Sequence, residues 1–317
     1  MQERLAAYLG GPVEGFRVIS PGWETEVYAF DHAGAPLVMR LYQGRNVQGR
    51  AENEYRMMRY LGQRGYPVPR VDRYEPDPAP SGGPFLLMER VEGRPLAHLF
   101  REQPHEQVIG RLCELQTRLH AMDWREFLGP DRVWPDLDAA RSMFEIDRMA
   151  GMLREMGLLE PLQPLVDWLA ERGRGVRLRL APLHGDFHFE NVLVRPDGSA
   201  AVIDWGITGL GDPRCDLAYA YILLTTEGNG RVGEQYRQIY ESMAGPVEDF
   251  DFFEAWALGW RLSITLIVLV RGSAAIGLRP GLEELMRQHL GYLRHVAALL
   301  SDRTGLRLPG VEALLAD

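Results

Sequence analysis

One stretch constrains this chain more than any other: His184-Gly185-Asp186-Phe187-His188-Phe189-Glu190-Asn191, a short hairpin, and then Ile203-Asp204-Trp205-Gly206. Asn191 opens a β-type run, Val192-Leu193-Val194, and Arg195-Pro196-Asp197-Gly198-Ser199 is turn chemistry, with Pro presetting φ and Gly supplying a positive φ. A second β-rich run, Ala200-Ala201-Val202-Ile203, ends at Asp204, so an antiparallel hairpin is expected. Asn191 lies six positions before Asp197 and Asp204 seven after it, which brings both side-chain oxygens to the open end of the hairpin. Asp186, five residues before Asn191, sits in the loop that delivers the chain to that end. Two oxygen ligands and an adjacent carboxylate suit a hard ion such as Mg²⁺, which binds through one or two protein groups plus substrate phosphates.

The spacing equals that of the protein-kinase catalytic loop, H-R-D-x-x-x-x-N, and Asp204-Trp205-Gly206 stands where kinases have D-F-G. The chain resembles the aminoglycoside phosphotransferase and choline kinase family, whose motif is H-G-D-x-H-x-x-N followed by I-D-W or I-D-F. That resemblance implies an α+β, two-lobe, protein-kinase-like fold, with a small β-rich lobe over residues 1–93 and a larger, mainly helical lobe over 94–317. It implies a small-molecule kinase that moves the γ-phosphoryl of ATP or GTP onto a hydroxyl of a small acceptor, an aminoglycoside-like antibiotic or a metabolite. Carried over by position, it makes Asp186 the base or hydroxyl-positioning carboxylate, and Asn191 and Asp204 the Mg²⁺ ligands. Asp216, in Gly211-Asp212-Pro213-Arg214-Cys215-Asp216, then braces the catalytic loop through its backbone, and His184 braces it as well. His188 is either structural or a neighbour of the phosphate site.

All 35 basic residues are Arg. A chain without lysine has no Walker A loop and no lysine Schiff base. Kinase-like catalysis ordinarily uses a strand lysine, so another cation must serve. Leu37 to Tyr42 alternates like a strand, and the resemblance places Arg40 where the family has its phosphate-binding cation. Arg is always charged and grips phosphate oxygens bidentately. Arg50 to Leu61 is helix-forming; by resemblance Glu54 pairs with Arg40, with Glu52 as the neighbouring alternative. Phe85 to Glu89 reads as a buried strand leading into the hinge that the resemblance implies, with backbone groups of Glu89 and Val91 toward the nucleobase and Met88 behind it.

Short strands at Gly15–Ser20 and Glu26–Phe30 flank Pro21-Gly22-Trp23-Glu24-Thr25, a turn that could fold over phosphates. From Leu96 onward helices are expected at Val108–His120, Leu137–Leu159, Pro161–Arg172, Asp216–Thr225, Gly233–Met243, Phe252–Val270 and Leu282–Leu300. His120 reads there as a structural cap. Asp147, Glu227, Glu234, Asp249, Asp251 and Glu254 are the candidate acceptor contacts, each also explicable as a solvated charge.

A net charge of −9 argues against nucleic acid, which selects basic faces. Two cysteines without C-x-x-C give no metal or disulfide framework. The longest apolar run, Leu262–Val270, is short against the roughly 20 residues of a membrane span, and no basic-then-apolar leader opens the chain. A cytoplasmic protein with no membrane partner is the expectation. Three rival readings remain: His184, Asp186 and His188 as the H-x-D-x-H ligands of a metal-dependent hydrolase, a nucleotide-binding module without transfer, and a protein kinase. Against the last, Gly185 replaces the loop Arg and no A-P-E follows Asp204.

Overall fold

The structure, a computed structural model, describes residues 1–316 apart from 22–24, 45, 129–145, 229 and 279–280. Most of the Pro21–Thr25 turn, and residues 137–145 of the expected helix over Leu137–Leu159, lie outside the described residues. The chain forms two compact units, one chiefly from Met1–Val108 and His188–Gly209, the other from Ile109–Phe187, Leu210–Ile276 and Pro280–Asp317.

In the first unit, helix α1 (Gln2–Leu9), which sequence reading did not anticipate, ends at Gly10 in the left-handed region. Strands β1 (Val13–Pro21), β2 (Thr25–His32), β3 (Ala35–Tyr42), β4 (Val71–Glu75) and β5 (Phe85–Glu89) form an antiparallel sheet in the order β1-β2-β3-β5-β4. Side chains alternate across a strand, so Leu37, Met39 and Leu41 share one face of β3, where they pack with Leu5, Phe30, Phe85 and Leu87. Arg40 and Tyr42 belong to the opposite face, and there they meet Glu54 of helix α2 (Val47–Gln63). Each fully buried apolar side chain of this cluster contributes about 1.5–3 kcal/mol. A cation on a central strand needs partners instead.

The chain pairs a short β6 (Arg94–Pro95) with the hairpin that was read from its turn chemistry. After β7 (Ala181–Leu183) come β8 (Val192–Val194) and β9 (Ala200–Val202), in register Val192↔Val202, and then β10 (Gly209–Gly211), which pairs with β7. The turn closes through Arg195 N–H to Ser199 O at 2.8 Å, with Gly198 at φ 83°. Three contacts fasten this hairpin to the N-terminal segment: the β6–β8 ladder, Val202 N–H to Pro67 O at 2.7 Å, and an Arg195–Glu89 ion pair at 2.7 Å.

The second unit is helical: α3 (His105–His120) leads into it, then α4 (Trp124–Leu128), α5 (Ile146–Glu155), α6 (Leu159–Gly173), α7 (Pro213–Leu223), α8 (Gly230–Ala244), α9 (Phe250–Arg271), α10 (Leu282–Gln288), α11 (Leu290–Thr304) and α12 (Pro309–Leu314). The single helix expected over Leu282–Leu300 is broken at His289. Its ring takes the Leu285 carbonyl at 2.7 Å, the acceptor its own amide would use in an α-helix, and the amide turns to Met286 O at 3.0 Å. Helix α9 is longer than its apolar run suggested: at 22 residues, with a mean hydropathy of 1.5 over its best window, it is long and apolar enough to cross a membrane. In this fold most of it is core, with Leu258, Leu262 and Leu266 fully buried at helical spacing.

Candidate active site

Arg40 is clamped from two sides. Its Nε lies 3.3 Å from Glu54 Oε2 and its Nη2 lies 2.7 Å from Asp204 Oδ1. Tyr42, two residues on along the same strand face, donates its hydroxyl to the same Glu54 oxygen. Glu54 is 1% exposed, whereas Glu52 is exposed, so the helix offers Arg40 only the former. Burial raises the pKa of Glu54 against the pull of Arg40 and the Tyr42 hydroxyl. Burial also works against the charge on Arg40, but Glu54 and Asp204 outweigh it and hold the guanidinium pKa above its ordinary value.

At the hairpin end, Ile203 N–H donates to Asn191 O at 2.9 Å, continuing the strand register by one residue. Asn191 closes a 3₁₀ turn, Phe189–Asn191, that His188 caps: the ring accepts from Glu190 N–H at 3.3 Å, and its Nε2 lies 3.1 Å from the Asn191 side-chain amide. Asp204 has φ 64°, in the left-handed region that costs a non-glycine residue on the order of 1–3 kcal/mol. Trp205 stabilises this turn from below. It is fully buried, donates its indole N–H to Val202 O at 2.8 Å and meets Tyr66 edge-on.

Asp186 lies in the second unit, in a loop fixed through its backbone. Asp216 on α7 is 2% exposed and accepts the amides of His184 and Gly185, both at 2.8 Å, one on each carboxylate oxygen. His184 is itself buried, accepts the Asp186 amide on Nδ1 at 3.2 Å and packs against Phe187. Gly185 has φ 86°, the backbone conformation glycine supplies without a Cβ penalty. His120 is more than a helix cap: Nε2 lies 3.3 Å from Asp216 Oδ2 and Nδ1 lies 2.9 Å from the Tyr240 hydroxyl. His120, Tyr240 and Tyr42 are the supports that motif reading missed. Only Tyr42 carried a signal, since it alternates with Arg40 on one strand face.

The strand β5 places Met88 in the core and brings Glu89 to its end. The Glu89 amide donates to Arg70 O at 2.9 Å, so that group is committed to the sheet; its carboxylate takes Arg195. Val91, half-buried, follows in the extended link to β6.

The H-x-D-x-H alternation is not realised. Residues 184–188 are not a strand: β7 stops at Leu183 and Gly185 turns the chain. Among the described residues no group of three or more His, Cys, Asp or Glu could hold a metal ion. Of the acids considered for an acceptor, Asp251 pairs with Arg172 at 2.7 Å, Glu254 with Arg303 at 2.9 Å, Glu234 with Arg237 at 3.3 Å and Asp249 with Arg214 at 3.6 Å. Asp147 is exposed, and the Glu227 side chain lies outside the described residues.

The profile of the phosphotransferase enzyme family matches residues 15–256. The chain belongs to the phosphotransferase enzyme family. Among solved structures, a candidate aminoglycoside phosphotransferase from Ralstonia eutropha aligns with TM-score 0.70 at 20% identity over 96% of this chain and 98% of the other. The aminoglycoside phosphotransferase APH(4)-Ia, in ternary complex with ADP and hygromycin B, aligns with TM-score 0.63 at 17% identity over 93% of this chain and 97% of its own. These likenesses establish the kinase-like fold. A curated relative of this chain, mouse acyl-CoA dehydrogenase family member 10, is 26% identical over 281 residues, 80% of this chain but 26% of its own length. The chain thus spans about a quarter of that relative.

Proposed function

We propose that this phosphotransferase moves the γ-phosphoryl of ATP or GTP onto a hydroxyl of a small molecule, with Mg²⁺ as cofactor. The observation that carries this reading is the Arg40 clamp, a buried strand cation held between a helix carboxylate, Glu54, and the carboxylate at the hairpin end, Asp204. The amide oxygen of Asn191 and the carboxylate of Asp204 are hard oxygen donors at one hairpin end, and so fit Mg²⁺. When bound, the ion supplies neutralisation of phosphate charge. Arg40 grips phosphate oxygens and offsets charge that develops on them, with Glu54 fixing its direction. Asp186 accepts or orients the acceptor hydroxyl proton, its position set by the Asp216 brace. The carbonyl of Glu89 and the amide of Val91 are the backbone groups proposed for the base. ADP in the APH(4)-Ia complex supports a nucleotide co-substrate, and hygromycin B supports a small acceptor.

A second acceptor class has its own support. The curated relatives are named as acyl-CoA dehydrogenase family members, which makes a hydroxylated acyl thioester a candidate beside hydroxylated antibiotics. Purified protein incubated with ATP or GTP, Mg²⁺ and a panel containing aminoglycosides, choline, sugars and hydroxyacyl-CoA thioesters is expected to phosphorylate one class. Nucleotide is expected to raise the melting temperature more with Mg²⁺ than with EDTA, because a ligand that binds only the folded state stabilises it. Equal shifts with and without metal, and no transfer to any class, would overturn the proposal.

A further inference from the structure

We infer that Gly206 is a positioning residue for Arg40: the guanidinium head occupies the space that a side chain at 206 would take. The inference rests on the reading of Arg40 as the phosphate-gripping cation. A Cβ built on Gly206 would fall 2.4 Å from Arg40 Nη2 and 3.4 Å from its Cζ, so the planar head lies across the glycine. The backbone does not require glycine there: Gly206 is not among the residues with positive φ. The contact closer than 3.4 Å that a Cβ at 206 would make is with the arginine.

Nor can the arginine simply swing aside. Its Nε is beside Glu54 at 3.3 Å and the Nη2 that meets Gly206 is also the atom held by Asp204 at 2.7 Å. Ordinary contact begins near 3.4 Å, so an alanine at 206 displaces Nη2 by about 1.0 Å (3.4 − 2.4) and pulls it off Asp204. A lysine would end in one compact ammonium with no second nitrogen to reach across Gly206. In a chain without lysine, the glycine after Asp204-Trp205 and the arginine on β3 form one device.

The test uses wild type, Gly206→Ala, Arg40→Lys and the double variant, with Mg²⁺·AMP-PNP as the probe, binding followed by calorimetry and unfolding without nucleotide as the control. Since misplacement by an ångström costs up to about 10²-fold, Gly206→Ala is expected to weaken probe binding roughly tenfold beside Arg40 and under about twofold beside a lysine, with the control little changed. The same loss in both backgrounds, or no loss beside Arg40, overturns the inference. Arg40→Met binding the probe as tightly as wild type would overturn the reading beneath it as well; weak binding by Arg40→Met together with additive effects sinks only the role of Gly206. Should Gly206→Ala fail to fold, a folded double variant that binds like Arg40→Lys supports the device, and failure of both to fold refutes it.

Discussion

Asp204 and Asp216 are both aspartates, one in each unit, and they are used in opposite ways. Asp204 has a half-exposed side chain, and its partner is another side chain, Arg40, at 2.7 Å. Asp216 is 2% exposed, and its oxygens hold two backbone amides, with a histidine behind them. A side-chain ion pair can be exchanged for a phosphate or a cation as a ligand arrives. A backbone amide has nowhere else to go, and leaving one unsatisfied in the interior costs about 1–3 kcal/mol. At Asp204 the chain therefore uses a partner that can be traded, and at Asp216 it uses partners that cannot.

The largest effect is expected at the carboxylate that belongs to neither class. Asp186 is positioned by groups acting on the backbone around it, so Asp186→Asn should lower the transfer rate by about 10²–10⁴-fold with nucleotide affinity within a few-fold of wild type. Steady-state kinetics on the identified acceptor check this, and near wild-type turnover would remove Asp186 as the base.

Next in size, Asp216→Ala strands the amides of His184 and Gly185, and urea unfolding should show a loss of about 2–6 kcal/mol. Asp204→Ala should cost under about 1 kcal/mol, because a half-exposed ion pair contributes little. Similar losses in the two variants would break the comparison between the carboxylates.

Arg40→Met should weaken Mg²⁺·AMP-PNP binding at least tenfold, with partial recovery in Arg40→Lys, since loss of a buried charge partner costs about 2–5 kcal/mol. It also exposes a pH dependence. Burial raises the folded pKa of Glu54, and without Arg40 the largest opposing influence is gone, leaving the Tyr42 hydroxyl and then Arg50. The folded state then binds more protons than the unfolded state, so stability is greatest below the ordinary carboxylate value and falls as pH rises through the folded pKa. Arg40→Met should thus melt closer to wild type at pH 5 than at pH 8; the reverse order would mean that Glu54 is not the stranded group.

The smallest effect lies away from the site. Glu283 accepts Ser273 N–H at 2.6 Å, the Ser273 hydroxyl at 2.8 Å and Gly281 N–H at 2.9 Å, and these bonds and its own amide, the Ser273 amide foremost, lower its pKa to about 2. A lowered folded pKa gives stability that is present above the unfolded value and lost as pH falls toward 2. Glu283→Gln should flatten that acid limb of the melting curve and leave pH 7 transfer unchanged. An unaltered limb would assign the acid sensitivity elsewhere.

The hairpin was legible because its information is local: turn residues, β-type runs and two oxygen-bearing side chains at fixed spacing. Arg40 and Glu54 were legible through resemblance, and strand alternation pointed at Tyr42 as well. The brace behind Asp216 was not, since His120 and Tyr240 lie 96 residues before it and 24 after it, at spacings no local pattern encodes. The break at His289 was hidden for a different reason. A single imidazole competing for one carbonyl overrides an apolar pattern that runs unbroken through it.

The discontinuity of the first unit has a consequence for how the protein comes into being. Its five-stranded sheet lies wholly before Val108, but the segment that completes the unit and carries the hairpin begins only at His188, 80 residues later (188 − 108). Synthesis at about 5–20 residues per second leaves an interval of roughly 4–16 s in which the sheet exists without that hairpin. Arg40 then has Glu54 beside it but not Asp204, which follows 164 residues on (204 − 40). Of the clamp's two ion pairs, Arg40–Glu54 spans 14 residues (54 − 40) and Arg40–Asp204 spans 164, so the second closes the far longer loop and carries the larger entropic cost of closure.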